Sequence, residues 1–287
     1  MAGPQRGDRV SEYVLLEQIG TGSFGQVWKA RHHIWADQLV AIKIPTDLQY
    51  VRSLRREGVA IHGLRHPNIV RAIGLDPYAD PPYLVMELVD GLSLQKLIEQ
   101  HPKGLPINAA LAIFRGMLLA LSEAHRHGLI HRDIKPANVL VQTSGELGQI
   151  RPEDVKVTDF GLGRAQHVTT ASIVRSGSMK TEQGKSISGT LAYMAPEQLD
   201  GGQPDARSDL YSAGIVLFEM LTGTRPEGGE LPGQLRPGVP AWVDEIFSRC
   251  YTRKDRRYGS AEEVLSALDA GPRSALPPLP QARPPSA

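Results

Sequence analysis

Between the apolar stretches Leu129-Ile130 and Val139-Leu140-Val141, the run His131-Arg132-Asp133-Ile134-Lys135-Pro136-Ala137-Asn138 places a carboxylate, a lysine and a carboxamide within six positions. Such groups crowded between apolar segments read as a loop that carries chemistry, although they also suit a turn whose Asp and Asn cap nearby backbone and whose Pro136 starts a helix. Upstream, Gly20-Thr21-Gly22-Ser23-Phe24-Gly25-Gln26-Val27 separates two strand-like runs, Tyr13 to Ile19 and Val27 to Ala30, and reads as a glycine-rich hairpin turn. Backbone without side chains can come close to phosphate oxygens and point its N–H groups at them. The same glycine spacing also occurs in dinucleotide-binding folds, where it opens a helix; here the residues that follow are β-branched and aromatic, as in a strand. Val40-Ala41-Ile42-Lys43 is a short apolar run ending in a single lysine. Val155-Lys156-Val157-Thr158-Asp159-Phe160-Gly161 alternates like a strand and ends on Asp-Phe-Gly.

Taken in this order, the motifs resemble those of the eukaryotic-type protein kinases of the Ser/Thr class, over about Tyr13 to Ala270. The resemblance implies an α+β, two-lobed fold, with a small antiparallel β-sheet lobe carrying one helix and a larger, mainly helical lobe. It implies ATP as cofactor with Mg2+, or alternatively Mn2+, and transfer of the γ-phosphoryl group to Ser/Thr hydroxyls of protein substrates. Asp133 would accept the hydroxyl proton, with Lys135 beside it, while Asn138 and Asp159 would hold the metal. A hard cation takes oxygen ligands, so an Asp and an Asn suit Mg2+ with phosphates and water. Lys43 would pair with the α- and β-phosphates and with Glu57. That glutamate is the only acidic residue between Asp47 and Asp76, and it stands in a helix-compatible segment nine residues before His66-Pro67-Asn68-Ile69-Val70. The nucleotide would lie against Ile19, Gly20, Thr21, Gly22, Ser23, Phe24 and Gly25, with Val27 and Ala41 above and Leu140 below. Met86 would guard the back of the pocket, and the backbone of Glu87 and Leu88 would bond the adenine.

Further features fit the same resemblance. Lys135 and Gly189-Thr190 are the Ser/Thr-type variants, and the compact loop from Gly223 to Trp242, with little room for a helix, is similar to bacterial members. Asp209 would prop the catalytic loop, and Arg257 would pair with Glu197 of Ala195-Pro196-Glu197. A catalytically silent relative would lack Lys43, Asp133 or Asp159, and a small-molecule phosphotransferase would lack the Asp159 to Glu197 segment that receives a polypeptide. That segment carries Thr169, Thr170, Ser172, Ser176, Ser178, Thr181, Ser186 and Ser188, and Arg132 precedes Asp133. Autophosphorylation of the segment, with transient self-association, is therefore expected.

The elements that must position these groups are legible by period. Strand signals dominate from Tyr13 to Glu87 in five runs, and helical texture follows Asp90-Gly91. A helix is expected from an Asn108 N-cap to about Arg126, with Leu111, Phe114, Leu118, Leu121 and His125 on one face. Leu210 to Leu221, opened by Asp209, is apolar nearly all round and belongs in the centre of a lobe. Ser260-Ala261-Glu262-Glu263 fits a capping box for a last helix ending near Asp269. The stretch Gln142 to Glu153 is longer than a tight turn. The expected organisation is a flexible lead at 1–12, a kinase domain at 13–270 with small lobe 13–89 and large lobe 90–270, and a Pro-rich tail or linker at 271–287.

The 287 residues include 22% charged ones and carry a net charge of +1. That balance offers no global attraction to nucleic acid or an anionic membrane. No uninterrupted apolar run approaches the ~20 residues of a membrane span. The single cysteine, Cys250, cannot form a disulfide within the chain and is expected to be packed with Trp242, Ile246 and Phe247. A reducing, cytoplasmic location is the expectation. His125, His127 and His131 invite a metal reading, but no Cys or carboxylate cluster completes such a site.

Overall fold

The computed structural model describes residues 3–22, 25–45, 51, 62–143, 146–160 and 191–271. Ser23, Phe24, Glu57, Gly161, the hydroxyl-rich stretch 169–188 and nearly all of the tail lie outside the described residues.

The first lobe is one antiparallel sheet. Its strands are β1 (Arg9–Val10), β2 (Tyr13–Gly22), β3 (Gly25–His32), β4 (Leu39–Pro45), β5 (Ala72–Asp76) and β6 (Tyr83–Glu87), in the order β1-β2-β3-β4-β6-β5. Leu15, Trp28, Ala30, Ile42 and Val85 form one apolar cluster, and Ala41, Ala72, Leu84 and Met86 another, as the period-two pattern of side chains dictates. The β2–β3 connection requires glycine at Gly25: its φ is +146°, and a Cβ there would lie 2.2 Å from the Ile44 carbonyl oxygen. Arg9 and Val10, within the segment expected to be a flexible lead, pair with Val14 and Tyr13. Ser11, at φ 54°, turns the chain back and Val10 is buried, which gives this two-residue strand a reason to form.

The second lobe contains the small sheet β7 (Leu92–Ser93), β8 (Val139–Val141) and β9 (Val155–Val157), in that order. Its helices are α1 (Leu94–Gln100), α2 (Ile107–Arg126), α3 (Pro196–Leu199), α4 (Ala206–Thr222), α5 (Pro232–Leu235), α6 (Ala241–Cys250) and α7 (Ala261–Ala270). Helix α2 is long and apolar enough by length and composition to cross a membrane. Here it is the central helix of the lobe: Ile113, Phe114, Met117, Leu118 and Leu121 are fully buried and it packs on α4, α7 and β9.

Several boundaries differ from the sequence expectation for tertiary reasons. Helix α2 is capped by Pro106, because Leu105 is buried with its N–H donating to the Met220 carbonyl at 2.7 Å. Asn108 is therefore inside the helix and donates instead to the Gly148 carbonyl, at 3.3 Å. Helix α4 starts at Ala206 on an Asp205 cap, whose Oδ1 accepts from the Arg207 N–H at 2.9 Å. Asp209, expected to open this helix, is thereby free to turn inward. The loop from Gly223 to Trp242 does hold one helical turn, α5, fixed where Arg236 donates to the carbonyls of Leu105 and Leu221. In Ser260-Ala261-Glu262-Glu263 the Ser260 hydroxyl accepts from the Glu263 N–H as expected, but the Glu263 carboxylate accepts from Gly259 rather than Ser260. Between β8 and β9 the described residues form two short 3-10 turns, Leu147–Gln149 and Pro152–Asp154, with Ile150 buried against the lobe.

Candidate active site

The catalytic candidate Asp133 is held by its own loop. Pro136 starts a single 3-10 turn, Pro136–Asn138, which swings Asn138 back so that its Nδ2 donates to the Asp133 carbonyl at 2.8 Å and to Asp133 Oδ2 at 3.0 Å. Lys135 Nζ lies 2.9 Å from the same Oδ2. Both contacts fall on one oxygen, which among the described residues leaves Oδ1 as the atom facing a hydroxyl. Because Asn138 spends its amide nitrogen on Asp133, its side-chain oxygen is the atom it can present to a cation. Its backbone carbonyl accepts from the Thr158 N–H at 3.0 Å, which ties the loop to the strand that leads into Asp159.

Asp159 and Lys43 meet across the lobes, with Lys43 Nζ 2.7 Å from Asp159 Oδ2. Burial pushes the Asp159 carboxyl up, but the charge and hydrogen bond of Lys43 prevail and hold it below the usual aspartate range. Lys43 is itself buried, at 4% exposure, so its ammonium is aimed rather than freely solvated. Phe160 is buried in the helical lobe and packs edge-on against His131, ring centroids 4.7 Å apart. That packing fixes which side of the backbone Asp159 takes.

His131 works as a spacer. Its Nε2 lies 2.8 Å from the Thr158 carbonyl, which can only accept, and its Nδ1 lies 3.2 Å from the Asp133 N–H, which can only donate. The ring therefore carries its proton on Nε2 and joins Asp133 to the segment between β9 and Asp159. Two residues of the site have positive φ without being glycine: Arg132 at 69° and Asp159 at 66°. Each such residue stores about 1–3 kcal/mol and persists only where its surroundings over-determine it. For Arg132 those surroundings are visible. Its N–H donates to Asp209 Oδ1 at 2.8 Å, and its carbonyl accepts from Gln198 Nε2 at 3.2 Å.

Asp209, fully buried, accepts three hydrogen bonds: from the His131 N–H at 2.8 Å, from the Arg132 N–H, and from His125 Nε2 at 2.8 Å. Burial raises its carboxyl, yet these donors carry it below its ordinary value. Nearby, Arg257 grips Glu197 bidentately, Nη1 to Oε1 at 2.6 Å and Nη2 to Oε2 at 2.9 Å. Glu219 accepts from the Tyr193 hydroxyl at 2.6 Å, and the Ser212 hydroxyl donates to the Tyr193 carbonyl at 2.7 Å. Tyr193 to Glu197 is thus bolted to α4.

For the nucleotide, Val27, Ala41, Met86 and Leu88 come together in one apolar cluster with Ala72 and Leu84. Leu140 is half-buried on β8, outside that cluster. Ile19 is 44% exposed at the rim, with Gly20 and Thr21 following it on β2. A small cleft behind Met86 is lined by Leu64, Ile69, Val70, Thr158, Asp159 and Phe160. The Glu87 N–H is engaged with the Arg71 carbonyl at 3.0 Å, so of the Glu87 backbone groups expected to face the adenine the N–H already has a partner. The three histidines find other partners: His127 Nδ1 bonds the Glu123 carbonyl, while His125 and His131 serve Asp209 and the catalytic loop.

Sequence reasoning assigned no structural partner to His125, Gln198 or Asn68. Asn68 Nδ2 donates to the Pro152 and Val155 carbonyls at 2.5 and 2.8 Å, which anchors the His66 to Val70 stretch on β9. Nothing local marks these polar residues, because each bonds a partner dozens of positions away.

Comparison with known proteins adds an independent line. The family model described as "Protein kinase domain" matches residues 13–234. The chain is 36% identical to the serine/threonine-protein kinase PrkC of Bacillus subtilis, over 92% of this chain and 42% of that protein. It is 34% identical to a probable serine/threonine-protein kinase PknB of Lactococcus lactis, over 88% of this chain and 41% of the relative. With PknL of Mycobacterium tuberculosis the identity is 34%, over 91% and 65%. The chain thus spans about two fifths of the length of the first two relatives. In fold it is similar to the crystal structure of the Mycobacterium tuberculosis PknI kinase domain, with a TM-score of 0.72 at 23% identity, covering 94% of this chain and 99% of that one.

Proposed function

The chain belongs to the protein kinase family, and from that premise we propose that it transfers the γ-phosphoryl group of ATP to serine and threonine hydroxyls of protein substrates. One observation carries the reading. Asp133 and Asp159 are tied to each other through Asn138 and His131, while Lys43 reaches Asp159 from the other lobe.

Family membership implies ATP and a divalent metal. We propose Mg2+ as the ion, with Mn2+ as a substitute, because the candidate ligands are the hard oxygens of Asp159 and Asn138. Asp159 and Asn138 would hold the metal, which would supply positive charge against the phosphates. Lys43 pairs with the phosphates as it pairs with Asp159 in this structure. Asp133 orients the substrate hydroxyl through Oδ1 and takes its proton, while Lys135, at its other oxygen, supplies positive charge beside the transferring group. Glu57, which lies outside the described residues, is assigned to Lys43 on the sequence alone.

We further propose autophosphorylation between Thr169 and Ser188. The support is compositional: eight hydroxyl residues in that segment and a fixed arginine, Arg132, at the catalytic loop. A phosphate adds about −2 charge and three acceptor oxygens, suited to charge-assisted bonds with Arg132, Arg164, Arg55 or Arg56. Incubation of the purified chain with ATP and Mg2+ followed by mass spectrometry tests both readings. Phosphate on this chain and on an added protein, absent in Asp133→Asn, is the expected result. No phosphate on either would overturn the enzyme assignment, and phosphate only on the added protein would overturn autophosphorylation.

A further inference from the structure

Strand β9, which leads into Asp159, does not run free on its outer side. It is flanked by the small-lobe segment that leads into β5: the Val157 N–H donates to the Asn68 carbonyl at 2.7 Å, and the Val70 N–H to the Val157 carbonyl at 2.9 Å. From the residue between Val155 and Val157, Lys156 Nζ reaches back 2.9 Å to the Pro67 carbonyl and 2.9 Å to Glu87 Oε1. The same Glu87 oxygen accepts from the Arg71 N–H at 3.0 Å, while the Glu87 N–H donates to the Arg71 carbonyl at 3.0 Å.

Glu87 is the last residue of β6, after which the chain crosses into the second lobe. Lys156 is therefore a large-lobe residue clamping the end of the small-lobe sheet. It lies three positions before the candidate metal ligand. Its side chain is 16% exposed and that of Glu87 27%, so the pair is sheltered without being sealed. A pair that keeps some water contributes modestly to global stability. What it does restrict is the crossover, since three hydrogen bonds converge on one glutamate from two segments.

We propose that Lys156 is a positioning residue for the nucleotide. By holding the Glu87 carboxylate, it sets the distance between the adenine edge of the pocket and Asp159, which follows just beyond the strand that carries Lys156. The inference rests on the nucleotide reading of Glu87 given above, and it predicts an effect on ligands that carry the base rather than on the transfer step.

The test is a double-mutant cycle in the whole chain. Lys156→Met and Glu87→Gln should each raise the KM for ATP about threefold to tenfold, and Lys156→Met should hold kcat within about twofold, as expected for loss of a sheltered charge pair. The double variant should be no worse than either single one, because both substitutions remove the same interaction. Adenosine affinity measured by calorimetry should fall in parallel with ATP affinity, and inhibition by inorganic triphosphate should stay unchanged. Lys156→Arg, which keeps the charge and the donor facing both Glu87 and the Pro67 carbonyl, should recover most of the loss. Additive effects in the double variant, a loss confined to kcat, or an unaltered KM in both single variants would overturn the proposal. So would a loss of folding in Lys156→Met that tracks its loss of affinity and that Lys156→Arg fails to restore. Failure of the nucleotide reading itself looks different: the unsubstituted chain would then bind neither adenosine nor ATP.

Discussion

Lys43 on β4 and Asp159 beyond β9 form an ion pair of 2.7 Å, so a residue of each lobe already holds the other at the centre of the site. Because the pair keeps the Asp159 carboxyl below the usual aspartate range, Asp159 remains ionised and ready for a cation as pH falls to about 3.9, the ordinary value. Removing the ammonium takes away the largest opposition to burial, and the carboxyl then moves up. Lys43→Met should lower phosphoryl transfer at least ~10²-fold. Binding of Mn2+ with nucleotide, followed by electron paramagnetic resonance, should weaken at a higher pH in the variant than in the unsubstituted chain. Identical pH profiles would remove Lys43 as the group that keeps Asp159 charged.

Asp133→Asn keeps the shape of the side chain and loses the proton acceptor. The expected outcome is a fall in kcat of about 10²- to 10⁴-fold, with ATP affinity nearly intact. Steady-state rates on a protein substrate, with ATP affinity measured separately, check both halves.

The buried carboxylate of Asp209 holds two backbone N–H groups of the catalytic loop and the His125 ring. Asp209→Asn removes the charge and puts an N–H donor where an acceptor is needed. Relaxation of the strained Arg132 should follow, with kcat down about tenfold to a hundredfold from misplacement of Asp133. His125→Leu should produce a smaller loss of the same kind. A variant of Asp209 with full kcat would show that the loop geometry is held by other contacts.

Glu197 lies in a buried bidentate pair with Arg257, which also donates to the Thr252 and Arg207 carbonyls. Burial acts to raise the Glu197 carboxyl, but the hydrogen bonds from Arg257 and Ser208 depress it overall. A depressed carboxylate contributes stability above its unfolded value, about 4.3, and loses it as pH falls through the lower folded value. Glu197→Gln should therefore destabilise the fold at neutral pH by about 2–4 kcal/mol, since Arg257 is left buried without its counter-charge. It should also flatten the acid limb of a plot of unfolding free energy against pH.

Cys250 is fully buried on α6, and burial pushes its thiol up to about 12. At pH 8 only about one thiol in 10⁴ is then the reactive thiolate. Ellman's reagent should find no reactive thiol in the folded chain and one after unfolding in guanidinium. Rapid reaction in the folded state would contradict this packing.

Order and residue type made much of the site legible in the sequence alone. Gly20 to Gly25, Lys43, Asp133, Asn138 and Asp159 could be named because each sits in a short local pattern whose chemistry is carried by neighbours in the chain, whereas the pairing of Arg257 with Glu197, 60 positions apart, was expected from the family resemblance alone. The strand-to-helix change near Asp90-Gly91 was legible for the same reason, as periodicity is local. Tertiary structure decided the rest. Asp209, expected both to open the helix and to prop the catalytic loop, keeps only the second role because Asp205 takes the cap and His125 meets Asp209 from α2. Arg9 and Val10 add a short strand ahead of Tyr13 because Val10 finds a place in the core. The Glu87 amide is spent on Arg71, and Lys156 reaches Glu87 across 69 positions of sequence. Hydrogen-bond partners of that separation leave no periodic trace, since a buried polar group specifies only that it needs a partner and folding alone determines which one it meets.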